Sequence, residues 1–120
     1  MNVFLIETET NHFANQLFSS WVKNTLPNWK IIKIESAGDD VVELVQMALT
    51  QNIAKVIHLG TPTIGAIVQM SMAFSMGMSV YALGLPIGRQ DAAFRGILEG
   101  WSYETEDFER SVTNILGRAA

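Results

Sequence analysis

Cysteine is absent from the 120 residues. That excludes disulfides, thiolate metal sites and a cysteine nucleophile, and it fits a cytoplasmic protein. Basic residues are few and scattered, 8 against 12 acidic, for a net charge of −4. With no Lys/Arg cluster, binding to duplex nucleic acid through phosphate contacts is not expected. No stretch reaches the roughly 18–20 uninterrupted apolar residues of a membrane span. Residues 64–85 come nearest, but Gln69, several serines and Gly77 interrupt them. No basic region precedes the apolar run in MNVFLIETET, so no secretory signal is predicted there. Repeats, low-complexity runs and linkers are also missing.

What is present is a chain of one-domain size, 48% apolar, able to build a real core as a single α/β domain over residues 1–120. The stretch Ile53–Leu85 organises it. It reads as a buried strand (Ala54–Leu59), a polar turn (Gly60–Gly65), a long apolar helix (roughly Pro62–Met76) and a second buried strand (Ser79–Leu83). Thr61 followed by Pro62 suggests an N-cap and a first-turn proline. The helix is apolar nearly all round, so its outer side also needs cover. A second copy, packed through Ile64, Ile67, Met70 and Phe74, is the expected cover.

Upstream, Asn2–Ile6 is a short continuous apolar run, as in strands buried on both faces. A polar loop, Glu7–Thr10, follows. Thr10 or Asn11 can cap a helix whose apolar positions are Phe13, Leu17, Phe18, Trp21 and Val22. Trp29–Ile34 is a second strand, and Lys30 and Lys33 place it near a sheet edge. After a loop at Ser36–Gly38, Asp40 and Glu43 resemble a capping box ahead of an amphipathic helix ending at Gln51-Asn52. Downstream, Gly84–Asp91 is a loop and Ala92–Arg95 a short helical turn. Ile97–Tyr103 is a fifth strand. A final helix opens at Thr105-Glu106-Asp107, faces Phe108, Val112, Ile115 and Leu116 inward, and ends at Gly117-Arg118.

Alternating strands and helices imply a doubly wound parallel sheet of five strands. Right-handed crossovers favour the order 2-1-3-4-5, a flavodoxin-like arrangement. The strand order reverses between strands one and three. A ligand is therefore expected at the carboxyl edge, where the loops Glu7–Asn11 and Gly60–Gly65 meet.

Chemistry-bearing candidates cluster at that edge. Gly60, Thr61, Thr63 and Gly65 offer hydroxyls, free N–H groups and close backbone approach, although an ordinary turn capped by Thr61 or Thr63 has the same composition. Glu7 directly follows the first strand and is the candidate base or nucleophile; Glu9 is a candidate for sugar hydroxyls. Gln69 is the strongly polar residue of the apolar helix and wants partners, whether a ligand, a loop or a second subunit. Arg89, with Asp91 and Arg95 nearby, can meet phosphate or carboxylate. His12 and His58 lack partners at metal spacing, so neither a metal nor a cofactor is expected. Trp101 and Tyr103 are candidates for lining a pocket or for packing, and packing is the favoured reading.

Ala73, Gly77 and Val80-Tyr81-Ala82-Leu83, within VQMSMAFSMGMSVYAL, resemble the third helix and fourth strand of the nucleoside 2-deoxyribosyltransferase-like family. In that family a glutamate attacks the sugar's anomeric carbon. Here the position holds Gln69, and Ser71 replaces the usual glycine. The resemblance therefore implies a nucleoside- or nucleotide-sized pocket and, if the chain is an enzyme, transfer or hydrolysis of an N-glycosidic bond with a carboxylate such as Glu7 in the lost role. Gly60-Thr61 through Gly65 is also similar to the glycine-rich loop of the ribose-5-phosphate isomerase B family, implying a sugar-phosphate isomerase. HLGTPTIGAIV is similar to the turn and helix of CRISPR-associated nucleotide-sensing domains, implying a non-catalytic sensor or assembly module.

Overall fold

A computed structural model describes residues 1–35, 40–86 and 92–116. Five strands form one sheet: β1 (Asn2–Glu7), β2 (Lys30–Glu35), β3 (Ile53–Leu59), β4 (Ser79–Leu85) and β5 (Gly100–Tyr103). All pairs are parallel and the order is β2-β1-β3-β4-β5. Five helices alternate with them: α1 (His12–Thr25), α2 (Asp40–Thr50), α3 (Ile64–Ser75), α4 (Ala92–Arg95) and α5 (Phe108–Leu116).

The two faces follow from strand alternation. Phe4, Ile6, Ile34, Val56, Val80 and Ala82 meet Leu44 of α2 and Ala66, Met70 and Ala73 of α3. Val3, Leu5, Ile57, Leu59, Tyr81 and Leu83 meet Phe18 and Val22 of α1 and Val112 and Leu116 of α5. The continuous apolar runs are thus strands covered on both sides, the burial pattern of a parallel sheet. β2 takes one edge, and its Lys30 and Lys33 stay in water. On the β5 side space is tight: a Cβ on Gly100 would stand 2.7 Å from Ile115 Cγ2 and 3.1 Å from Tyr81 Cδ1.

Several local expectations change. Phe13 and Leu17 are 72% and 50% exposed, and α1 buries Asn15, Phe18 and Val22 instead. The apolar positions of α1 make two stripes at helical spacing. Asn15, anchored inside by its own hydrogen bonds, selects which one turns inward. Asn11 occupies the N-cap position of α1 but makes no capping bond with its side chain. In α3 the cap is Thr63, not Thr61: Thr63 Oγ1 accepts from the Ala66 N–H at 3.1 Å. Pro62 therefore precedes the helix instead of opening it. Met70 is fully buried against the sheet, so it cannot belong to a surface shared with another chain, and Ile67 is half-buried. Ile97 and Leu98 lie in a turn on α4, their N–H groups bonded to Phe94 and Arg95, so β5 begins only at Gly100.

Gly77 ends α3 with φ +86°, where the N–H of Met78 bonds Ala73 O at 3.1 Å and its own N–H bonds Phe74 O at 3.0 Å. That is a Schellman end, which favours glycine on backbone grounds. Ala73, with no exposure, sits directly on the sheet. The Ala-x-x-x-Gly spacing behind the family resemblance thus has a complete structural explanation. The expected loop residues Ser36–Gly38, Arg89 and Asp91, and the expected helix end Gly117-Arg118, lie outside the described residues.

Candidate functional site

The switch point between β1 and β3 is held by one side chain. Asn11, 3% exposed, donates from Nδ2 to Ile6 O (3.1 Å) and to Leu59 O (3.0 Å). Its Oδ1 accepts from the Thr8 N–H (2.9 Å) and from Asn15 Nδ2 (3.1 Å). Both donor hydrogens and both acceptor lone pairs are used. Carbonyls near the ends of two adjacent strands are thereby tied together, and the β1–α1 loop is pinned across the crevice. Thr8 and Thr10 close this loop further through their hydroxyls, 3.4 Å apart.

Beside this node lies an open cavity of about 560 Å³. The end of β1 contributes Glu7, the loop Thr8, Glu9 and Thr10, the start of α1 His12, the end of β2 Glu35, and the cap of α3 Thr63. Glu7 and Glu35 are register partners in the parallel ladder, which sets two carboxylates side by side at the rim. Glu7 is not free: its Oε1 lies 2.5 Å from Nδ1 of His12. The glutamate side chain is 14% exposed and the histidine 73%. The wall thus combines three carboxylates, three threonine hydroxyls and one imidazole. It can accept hydrogen bonds from hydroxyls or cations, and it repels anions.

Of the residues expected from sequence, Glu7, Glu9 and Thr63 line the cavity. Gly60, Thr61, Gly65 and Gln69 are not among its lining residues, and Arg89 lies outside the described residues. Gly60 instead shapes the backbone: at φ +84° it turns the chain out of β3 while its N–H bonds Leu83 O at 2.8 Å. Gln69 is 1% exposed and donates to Glu35 O at 3.1 Å, bracing the cavity wall from behind, while its Oε1 has no partner among the described residues. His58, fully buried on the α2–α3 side of β3, has no close, well-aligned hydrogen-bond partner at either ring nitrogen among the described residues. Burial pushes its pKa down to about 4, and the Gly60 backbone offsets this only in part. It is a neutral core residue. Trp101 is 40% exposed and Tyr103 packs against the core. Among the described residues no group of His, Asp and Glu is arranged to hold a metal ion.

The sequence did not single out Glu35, Thr8 or Thr10 as cavity residues, and it saw Asn11 only as a cap. The Glu7-to-His12 spacing was legible, but five residues apart across a loop is not a recognisable pairing until the strand end and helix start are fixed.

Among the described residues no helix is long and apolar enough to cross a membrane. No family model matches the chain, and no curated protein matches it. A solved structure that is similar is a 3-dehydroquinate dehydratase-like protein from Bifidobacterium longum: TM-score 0.58, 8% identity, covering 100% of this chain and 98% of that one. At that identity the likeness concerns the fold, the same flavodoxin-like α/β arrangement, and it brings no support for the nucleoside deoxyribosyltransferase resemblance.

Proposed function

We propose that this chain binds a nucleoside-like, hydroxyl-rich small molecule in the cavity bounded by Glu7, Glu9, Glu35 and Thr63. The observation that carries this reading is the cavity's composition at the switch point: three carboxylates that accept from hydroxyls, beside three threonine hydroxyls. Open α/β sheets bind ligands at this location. The same carboxylates argue for a nucleoside over a phosphorylated nucleotide. The N-terminus of α3 favours anions, but an effect of about half a charge is outweighed by neighbouring full charges. A catalytic role for Gln69 finds no support, because its side chain is buried behind Glu35. If the chain turns its ligand over, the chemistry falls to Glu7 and the groups around it, and N-glycosidic transfer or hydrolysis is the form the family resemblance suggests.

A thermal-shift panel of nucleosides, nucleoside monophosphates, cyclic oligonucleotides and sugar phosphates tests the reading. A ligand at 100 times its dissociation constant adds about 2.7 kcal/mol to stability. A nucleoside is expected to raise the melting temperature clearly, and Glu35→Ala to abolish the rise. A response confined to cyclic oligonucleotides favours the sensor alternative, and one confined to sugar phosphates the isomerase alternative.

A second reading, self-association as an assembly module, rests on a separate observation. Ile64, Val68 and Phe74 of α3 are 83%, 44% and 49% exposed, and α3 carries no charge. Ser71 and Ser75 spend their hydroxyls on Ile67 O (2.8 Å) and Ser71 O (3.0 Å), so this face asks little of water. A homodimer through this face predicts that Val68→Glu halves the mass measured by sedimentation without unfolding the chain.

A further inference from the structure

The geometry points to His12 and Glu7 as a proton-transfer couple, with Nε2 of His12 taking a proton from a hydroxyl of the bound molecule. This rests on the reading that the cavity holds a hydroxylated ligand. Both partners stand on fixed backbone. Glu7 ends β1, in register with Glu35, and His12 opens α1. The loop between them is pinned by the four bonds of Asn11. The contact is therefore more than two long surface side chains meeting, whose ordering would cost most of what it gains.

The contact also fixes the chemistry of the ring. A carboxylate against Nδ1 holds a proton on that nitrogen, which leaves the Nε2 lone pair as the base. Nε2 makes no hydrogen bond among the described residues, and the ring is 73% exposed at the cavity. Glu7, largely covered, stabilises the imidazolium when it forms. In the step itself the ligand's O–H bond breaks and its electron pair stays on oxygen. The proton passes to Nε2, that oxygen bonds an anomeric carbon as the N-glycosidic bond there breaks, and the departing base nitrogen takes the proton from Nε2; nothing is oxidised or reduced. His12 is the catalytic residue in this assignment and Glu7 the positioning residue.

The chain has two histidines, and His58 is buried, so ring nitrogen spectra separate them cleanly. In the neutral ring, 15N shifts of His12 are expected to report the Nδ1–H tautomer, reverting to the common Nε2–H tautomer in Glu7→Gln. An Nε2–H tautomer in the unmodified chain, or no change in Glu7→Gln, overturns the couple. For each nucleoside that gives a thermal shift, His12→Gln is expected to keep the shift and to cut product formation about 100-fold, a usual loss for a general base. Undiminished turnover in His12→Gln overturns the couple and leaves the binding reading standing. Binding without product from any nucleoside overturns the catalytic assignment alone. Absence of any shift overturns both together.

Discussion

Three buried polar side chains stand near the carboxyl edge of the sheet, Asn11 on the α1 side and His58 and Gln69 on the α3 side, and they differ in how fully they are satisfied. Asn11 is almost fully covered and satisfies every donor and acceptor it has, although Asn15 Oδ1 and Ser19 Oγ on α1 have no partner among the described residues. His58 and Gln69 are equally covered, yet both His58 nitrogens and Gln69 Oε1 have no partner among the described residues. A buried polar group without a partner costs on the order of 1–3 kcal/mol, whereas a satisfied one is roughly neutral to favourable. The Asn11 node is therefore architecture: it holds the loop that builds the candidate site. His58 and Gln69 carry such a cost among the described residues, and the bond from Gln69 to Glu35 offsets part of it.

The sharpest way to break this comparison is Asn11→Ala. It strips partners from two strand-end carbonyls and one loop N–H at once, so unfolding free energy should drop by about 3–5 kcal/mol in urea titration. A loss below 1 kcal/mol would mean the node is not structural.

Acid comes next. The folded pKa of His58 is depressed, to about 4 from 6.5. The unfolded chain therefore binds more protons in that window. The stabilising effect of the neutral ring is complete above pH 6.5 and disappears as pH falls towards 4, a loss of about 3 kcal/mol. His58→Leu should remove this component, so the difference between the two stability–pH curves isolates it from the carboxylates. At pH 7 the same substitution should be neutral or stabilising, since it removes two unsatisfied atoms.

Gly60→Ala probes the hinge between the two sides. No atom crowds its Cβ, so its cost is purely that of φ +84°, about 1 kcal/mol; equal melting temperatures would show that the turn tolerates an L side chain. Gln69→Leu should have the smallest effect, within about 1 kcal/mol. It gives up one bond to Glu35 but also removes an unpartnered oxygen. A large loss there would mean the amide has a partner in solution.

The same contrast explains what the sequence could and could not convey. Continuous apolar runs such as Val3–Ile6 and Val80–Leu83 announce strands buried on both faces, and the alternation with helices orders them 2-1-3-4-5. That Glu7, Glu9 and Thr63 stand near the switch-point cavity was legible because the switch point follows from that order. Which stripe of α1 faces inward was not legible, because two apolar stripes compete and Asn15 decides between them through contacts made only after folding. Met70 looked like surface for a similar reason: an all-apolar helix gives no polar face to orient it. The role of Asn11 depends on Leu59, 48 residues away, and no local pattern carries that. Glu35 entered the cavity through its register with Glu7, a relation between strands that neither segment states alone.

The most direct test is calorimetric titration of the chain with a nucleoside and with its 5′-monophosphate, repeated on Glu35→Ala. A cavity lined by Glu7, Glu9 and Glu35 predicts measurable nucleoside binding, weaker binding of the monophosphate, and loss of nucleoside binding in the variant. Tighter binding of the monophosphate, or nucleoside binding that Glu35→Ala leaves unchanged, would contradict it.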